Sequence, residues 1–230
     1  MSVRETPEHV QKAMRFEYPH LSVHAKRKKP ISHKTVFYMK EYGPHSHAIA
    51  RIIHESMRIL ILAAIVSSFG GFALNGIKSA LLAIAPMIIL LPALNDMIGD
   101  FGTVVASRFS AMLVEGKASV HWAKNRELGD LFLQIIVSAI AVSVIAALAA
   151  VMLAGLSGFH SGPEIIFKIV TITLLDVVLM VFLIFLLAVF AGLHFYRQGE
   201  DPNNFLIPIV TSVADFANIL LLSALIILFF

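Results

Sequence analysis

Beyond Arg58 the chain alternates long apolar runs with short polar breaks, whereas the stretch before it is polar for most of its length. Five apolar runs follow, over about 52–75, Ser79 to about Glu115, 129–156, 164–195 and 203–230. A hydrocarbon core of ~30 Å needs ~20 helical residues at ~1.5 Å each, and every run supplies them. The third carries no charged residue between Leu131 and Phe159. The pattern predicts an all-α, polytopic membrane domain of five transmembrane helices over 51–230, behind a basic, His-containing arm over 1–50. Pro86, Pro92, Gly99 and Gly102 surround an acidic pair in the second run. Proline removes a helical donor, so that helix is expected to be broken near Asp96–Gly102.

Composition narrows the class. Of 230 residues, 58% are hydrophobic and 14% charged, against ~25% charged in soluble domains. A mean hydropathy of +0.83 excludes a disordered chain, a collagen-like chain and a typical soluble enzyme. Cysteine is absent, which excludes disulfides and thiolate metal sites and leaves oxygen or histidine ligands. Residues 1–58 hold eleven of the eighteen Lys and Arg and seven of the ten His. With the N-terminus inside, the basic or mixed loops Glu115–Leu128 and Tyr196–Asn203 fall inside too. Ser157–Pro163, without Lys or Arg, falls outside. The expectation is a multi-pass protein of the plasma membrane, with a cytoplasmic N-terminus, an uncleaved first span and an outside C-terminus.

Four Asp lie in or beside apolar runs: Asp96, Asp100, Asp176 and Asp215. Each costs at least ~2.5 kcal/mol at the bilayer centre, so each needs a reason. In the fifth run Asn204, Pro208, Thr211, Asp215 and Asn218 are spaced 4, 3, 4 and 3, one face of a helix. Pro208 frees the carbonyl of Asn204 from its helical bond. In the second run Asp96, Asp100, Thr103, Ser107 and Ser110 repeat the same spacing. Carboxylates, amides and hydroxyls in a row beside an interrupted helix are what a hard, hydrated cation can use. The competing explanation is that such stripes only bind helices together. Asp176, one turn after Thr173, is a candidate second ion site or proton carrier, or a carboxyl kept neutral by burial.

Two blocks carry a family resemblance. One runs Pro92-Ala-Leu-Asn95-Asp96-Met-Ile-Gly99-Asp100-Phe-Gly102-Thr103 and on through Ala-Ser107-Arg108-Phe-Ser110; the other is Asp201-Pro-Asn-Asn204-Phe-Leu-Ile-Pro208 with Thr211-Ser-Val-Ala-Asp215. Together they resemble the membrane domain of the MgtE magnesium channel family, close to its eukaryotic solute-carrier branch and without the cytosolic regulatory domains. The resemblance implies a homodimer with a pore on the two-fold axis, lined by the second and fifth helices. It implies Mg²⁺ as the bound and transported ion, with Asp215 as its central ligand, and a Gly99–Gly102 region that shapes the path. Asp100 stands where the family usually has Asn, and Asp96 where Gly is common.

The expected metal ligands are Asp215, Asp100, Asp96, Asn218 and Thr211. The pathway would be completed by Asn95, Gly99, Gly102, Thr103, Ser107, Pro208, Asn204 and Asp176. Two copies of Asp215 near a two-fold axis would ionise in a coupled way, and a divalent cation would offset both charges. Expected partners are a second copy and the lipid bilayer, with no nucleic acid and no soluble protein. The arm, with Lys26-Arg-Lys-Lys29 and His45 and His47, reads as a solvated segment, a metal sensor or a basic segment on anionic lipid. Na⁺- or H⁺-coupled divalent exchange is the nearest alternative. An intramembrane aspartyl protease (from Pro92-Ala-Leu94, Gly99-Asp100 and Asp176) and a non-transporting scaffold are remoter ones; no enzyme activity is expected.

Overall fold

The computed structural model describes Lys34, Thr35, Phe37, Tyr38 and residues 48–117 and 125–230. The arm's His45 and His47 and its Lys26–Lys29 cluster lie outside the described residues. From Ala48 onward the described residues form, in order, α1 (Ala48–Gly76), α2 (Lys78–Ala83), α3 (Ala85–Val114), α4 (Arg126–Leu156), α5 (Pro163–Gln198) and α6 (Pro202–Phe229). Five of them, all but the six-residue α2, are long and apolar enough to cross a membrane. The described residues are thus all-helical, with no strand among them, and the protein is a multi-pass membrane protein.

One boundary differs from the sequence expectation. The second run is interrupted at Ile84, where the backbone turns extended between α2 and α3, and Pro86 opens α3. The break expected near Asp96–Gly102 is absent, because α3 continues unbroken from Ala85 to Val114 with Pro92 inside it. Pro86 sits where a helix start has no donor to lose, so it favours a new helix. Pro92 removes one donor in the interior, and the surrounding bonds hold the helix across it.

The other ends have local causes. Asn125 caps α4 by accepting from the Glu127 amide at 3.1 Å, and its own Nδ2 donates to the Lys117 carbonyl at 2.8 Å. Gly199 ends α5 at φ +81°, a left-handed conformation that glycine adopts without a Cβ clash. Asp201 then accepts from the Asn203 amide at 3.0 Å, and Pro202 starts α6. The Asp-Pro pair of the second sequence block is thus a helix start. Beyond α3, Lys117 donates to Glu115 at 2.7 Å and holds that carboxyl below its ordinary range, with Lys34 adding to the effect from 3.8 Å. Phe37 stacks on Tyr196, so described parts of the arm meet the ends of both α3 and α5.

The core lies among α3, α5 and α6, through Leu94, Ile98, Phe109, Ile184, Leu206 and Val210. The helix α4 covers α3 and α5 with a stripe of Ala139, Ser143, Ala147, Ala150 and Ala154. Small side chains let helices approach closely where lipid supplies no hydrophobic force between them. The helix α1 stands to the side and packs chiefly on α6 through Ala63, Ser67 and Gly70. Its outer face, from Ile53 through Ile61 and Ile65 to Phe72, is exposed, as suits a surface in lipid.

Two glycines are contact points. A Cβ at Gly192 would lie 2.8 Å from the Phe109 ring, and one at Gly102 would lie 2.9 Å from Val210 Cγ1. Phe109 is fully buried and has no space to withdraw into. We expect Gly192→Ala to destabilise the fold by about 1–3 kcal/mol, read as earlier thermal loss of monodisperse protein in detergent. Gly155→Ala, with open space around it, should do no harm. Equal melting of the two variants would refute this packing account.

Candidate cation site

A groove of about 770 Å³ opens between α3 and α6. From α3 it is lined by Pro92, Ala93, Asn95, Asp96, Gly99, Asp100 and Thr103, and from α6 by Thr211 and Asp215. The helical periodicity of the two sequence stripes brings these residues to one side of each helix. Asp96 and Asp100 are exposed to the groove, Asp215 is half-buried, and among the described residues no Lys, Arg or His lines it. Three carboxyl groups with no cationic side chain make a cleft that concentrates cations.

Asp215 is held from two other helices. Its Oδ1 accepts from Asn95 Nδ2 at 2.9 Å, and its Oδ2 accepts a long bond from Ser67 Oγ at 3.5 Å. Asn95 is fixed in turn, because its Oδ1 accepts from Asn218 Nδ2 at 3.1 Å. The carboxylate is therefore pre-aimed, with lone pairs left for the groove. Thr211 donates to the Ile207 carbonyl at 2.9 Å and the Pro208 carbonyl at 3.3 Å, while Thr103 donates to the Gly99 carbonyl at 3.1 Å. Each hydroxyl hydrogen is thereby turned into its helix, which leaves the oxygen lone pairs for a cation.

The predicted residues separate into groups. Asp96, Asp100, Thr211 and Asp215 line the groove with Asn95, Gly99 and Thr103. Asn218 is fully buried and does not line it; its amide stands behind Asn95. Gly102 is turned to the opposite side, where α3 meets Val210 and Ile184. Ser107, Asn204 and Pro208 are half-buried and outside the lining, and Asp176 is fully buried in α5. Asp100 and Asp176 therefore do not share the groove, as an aspartyl protease's carboxyl pair would share a site. Ser67 was not anticipated. The only signal for it is the spacing of small residues Ala63, Ser67 and Gly70, which marks the face of α1 that meets α6.

Among the described residues no three His, Asp or Glu side chains come close enough together to clasp a metal. What the groove can do is hold a cation that keeps much of its water. Six waters at about 30 Å³ each occupy roughly 180 Å³, well within the groove. Mg²⁺ gives up water reluctantly and is commonly held by one or two carboxylates plus waters.

Comparison with known proteins gives one match: the family model MgtE, described as divalent cation transporter, matches residues 91–225. That stretch begins just before Pro92 and ends within α6, so it takes in both walls of the groove. No curated protein and no solved structure matches the chain.

Proposed function

The chain belongs to the MgtE family of divalent cation transporters, and on that premise we propose that it carries Mg²⁺ across the plasma membrane along the α3–α6 groove. The observation that supports this most is the groove itself, where Asp96, Asp100 and Asp215 face one space that no basic side chain among the described residues lines. In this reading a partly hydrated ion meets the exposed Asp96 and Asp100 and then the half-buried Asp215, with Thr211 and Thr103 offering hydroxyl oxygens. Asn95 and Asn218 position the ligand rather than bind the ion.

The functional unit we propose is a homodimer. Among the described residues of one chain, Asp96, Asp100 and Asp215 share the groove but no three acidic or His side chains are placed to clasp one ion. A second copy facing the groove would supply the further charges needed to balance a divalent ion. The N-terminus lies in the cytoplasm and the C-terminus outside, in keeping with the loop charges.

Mg²⁺ uptake into proteoliposomes of purified protein, without and then with a sodium gradient, tests the proposal. Uptake that needs no gradient identifies a channel-like path, and uptake that requires sodium favours the exchanger. Absence of flux for every divalent ion tried would refute both and return weight to a scaffold. Carboxylate ligands bind metal only when deprotonated, so protons compete. Flux should therefore fall when the bath goes from about pH 7.5 to about pH 5; constant flux over that range would contradict carboxylate binding.

A further inference from the structure

Asp176 has no exposed surface, and among the described residues neither of its carboxyl oxygens has a hydrogen-bond partner. Asn218 is equally buried; its Nδ2 donates to Asn95, but its Oδ1 receives no hydrogen bond from any described residue. Helical register puts the two at one depth. Ile184 and Val210 both approach Gly102, at 3.8 Å and 2.9 Å from the position of a Cβ there. Asp176 lies eight residues before Ile184 on α5, and Asn218 lies eight residues after Val210 on α6. These helices run antiparallel through the Gly199–Asp201 turn, with Phe195 stacked on Phe205. Both steps therefore go the same way, by about 12 Å.

The hydrogen inventory supplies the second argument. Every bond in the chain is donated toward the groove, from Asn218 to Asn95 and from Asn95 to Asp215. Its inner end is an amide oxygen that lacks a donor. An ionised carboxylate enclosed without a partner is unfavourable, whereas a neutral carboxylic acid supplies one O–H. The helices packed on α5 carry Asp96, Asp100 and Arg108 (α3), Asp215 (α6) and Arg126, Glu127 and Asp130 (the start of α4). On α5 itself Glu164, Lys168, His194 and Arg197 stand toward the two ends. None of these bonds to Asp176.

We infer that Asp176 is a neutral acid whose O–H donates to Asn218 Oδ1, a positioning residue that holds the two-asparagine chain and so aims Asp215 into the groove. The transport consequence rests on the cation-path reading; the protonation state does not.

Infrared spectra of the purified protein in lipid near neutral pH test the state directly. A carboxylic-acid carbonyl band should be present in wild type, persist in Asp215→Asn and vanish in Asp176→Asn. Transport tests the role. Asp176→Asn keeps an N–H donor and should stay within about threefold of wild-type apparent Mg²⁺ affinity. Asp176→Leu should weaken that affinity about tenfold with a smaller effect on maximal rate. No acid band in wild type, or a band unchanged in Asp176→Asn, would overturn the inference. Equal impairment of the Asn and Leu variants, or a sodium requirement that both abolish, would do the same. If Asp176→Leu does not fold, the infrared comparison and the Asn variant still decide. If wild type moves no divalent ion, transport fails as a function while the band still decides the state of Asp176.

Discussion

Asp215→Asn is expected to lower divalent-cation flux by about a hundredfold or more, the largest effect of any single substitution in the groove. The amide has the shape of the carboxyl but no charge, and half of its surface points are donors that repel a cation. Asp215 is also the half-buried carboxyl of the three, so water screens its loss least. A hundredfold corresponds to about 2.7 kcal/mol, within reach of one charge removed from a partly desolvated site. Asp96→Asn and Asp100→Asn, at exposed positions, should each have a smaller effect. Initial rates of Mg²⁺ entry into proteoliposomes, normalised to reconstituted protein, decide the matter. Wild-type rates in Asp215→Asn would remove the central ligand and support the scaffold reading.

The second large effect is predicted for Asn95→Leu. This change keeps the number and branching of side-chain heavy atoms but takes a donor from Asp215 Oδ1 and an acceptor from Asn218 Nδ2 at once. Each unpaired group in a largely enclosed place costs about 1–3 kcal/mol, so a total of about 2–4 kcal/mol is expected with Asp215 partly relieved by water. Flux should fall as well, since the Asp215 carboxylate would no longer be aimed. Ser68→Ala is the control: its hydroxyl bonds only within α1, on the exposed side. It should change thermal stability by less than about 0.5 kcal/mol. If Asn95→Leu melts with the control and transports normally, the asparagine chain has no part in the site.

The sequence stripes located most of the groove because acidic and hydroxyl side chains at spacings of 4 and 3 in an apolar run admit one helical reading. The five spans were legible for the same reason, since only helices satisfy the backbone across such lengths of lipid. Three features were not legible. The helix interruption falls at Ile84 rather than near Asp96–Gly102, because proline beside other proline and glycine residues does not say which one opens a new helix. Gly102 shares a motif with Gly99, yet Gly99 has open space while Gly102 presses on Val210. A missing side chain serves a pathway or a helix contact equally well. Ser67 reaches Asp215 across 148 residues of sequence, a partnership that no local pattern encodes.

That long-range partnership bears on biogenesis. The ribosome makes α1 well before α6, and α6 is the helix against which α1 chiefly packs. Until α6 enters the bilayer, α1 must wait in lipid with the Ser67 hydroxyl lacking its eventual acceptor. Closing α1 onto α6 therefore waits on the synthesis of α6, with a large loop to span. A nascent chain stopped before Asp215 would leave α1 without the helix it chiefly packs on. The contact beside the candidate cation site can thus form only once synthesis has passed Asp215.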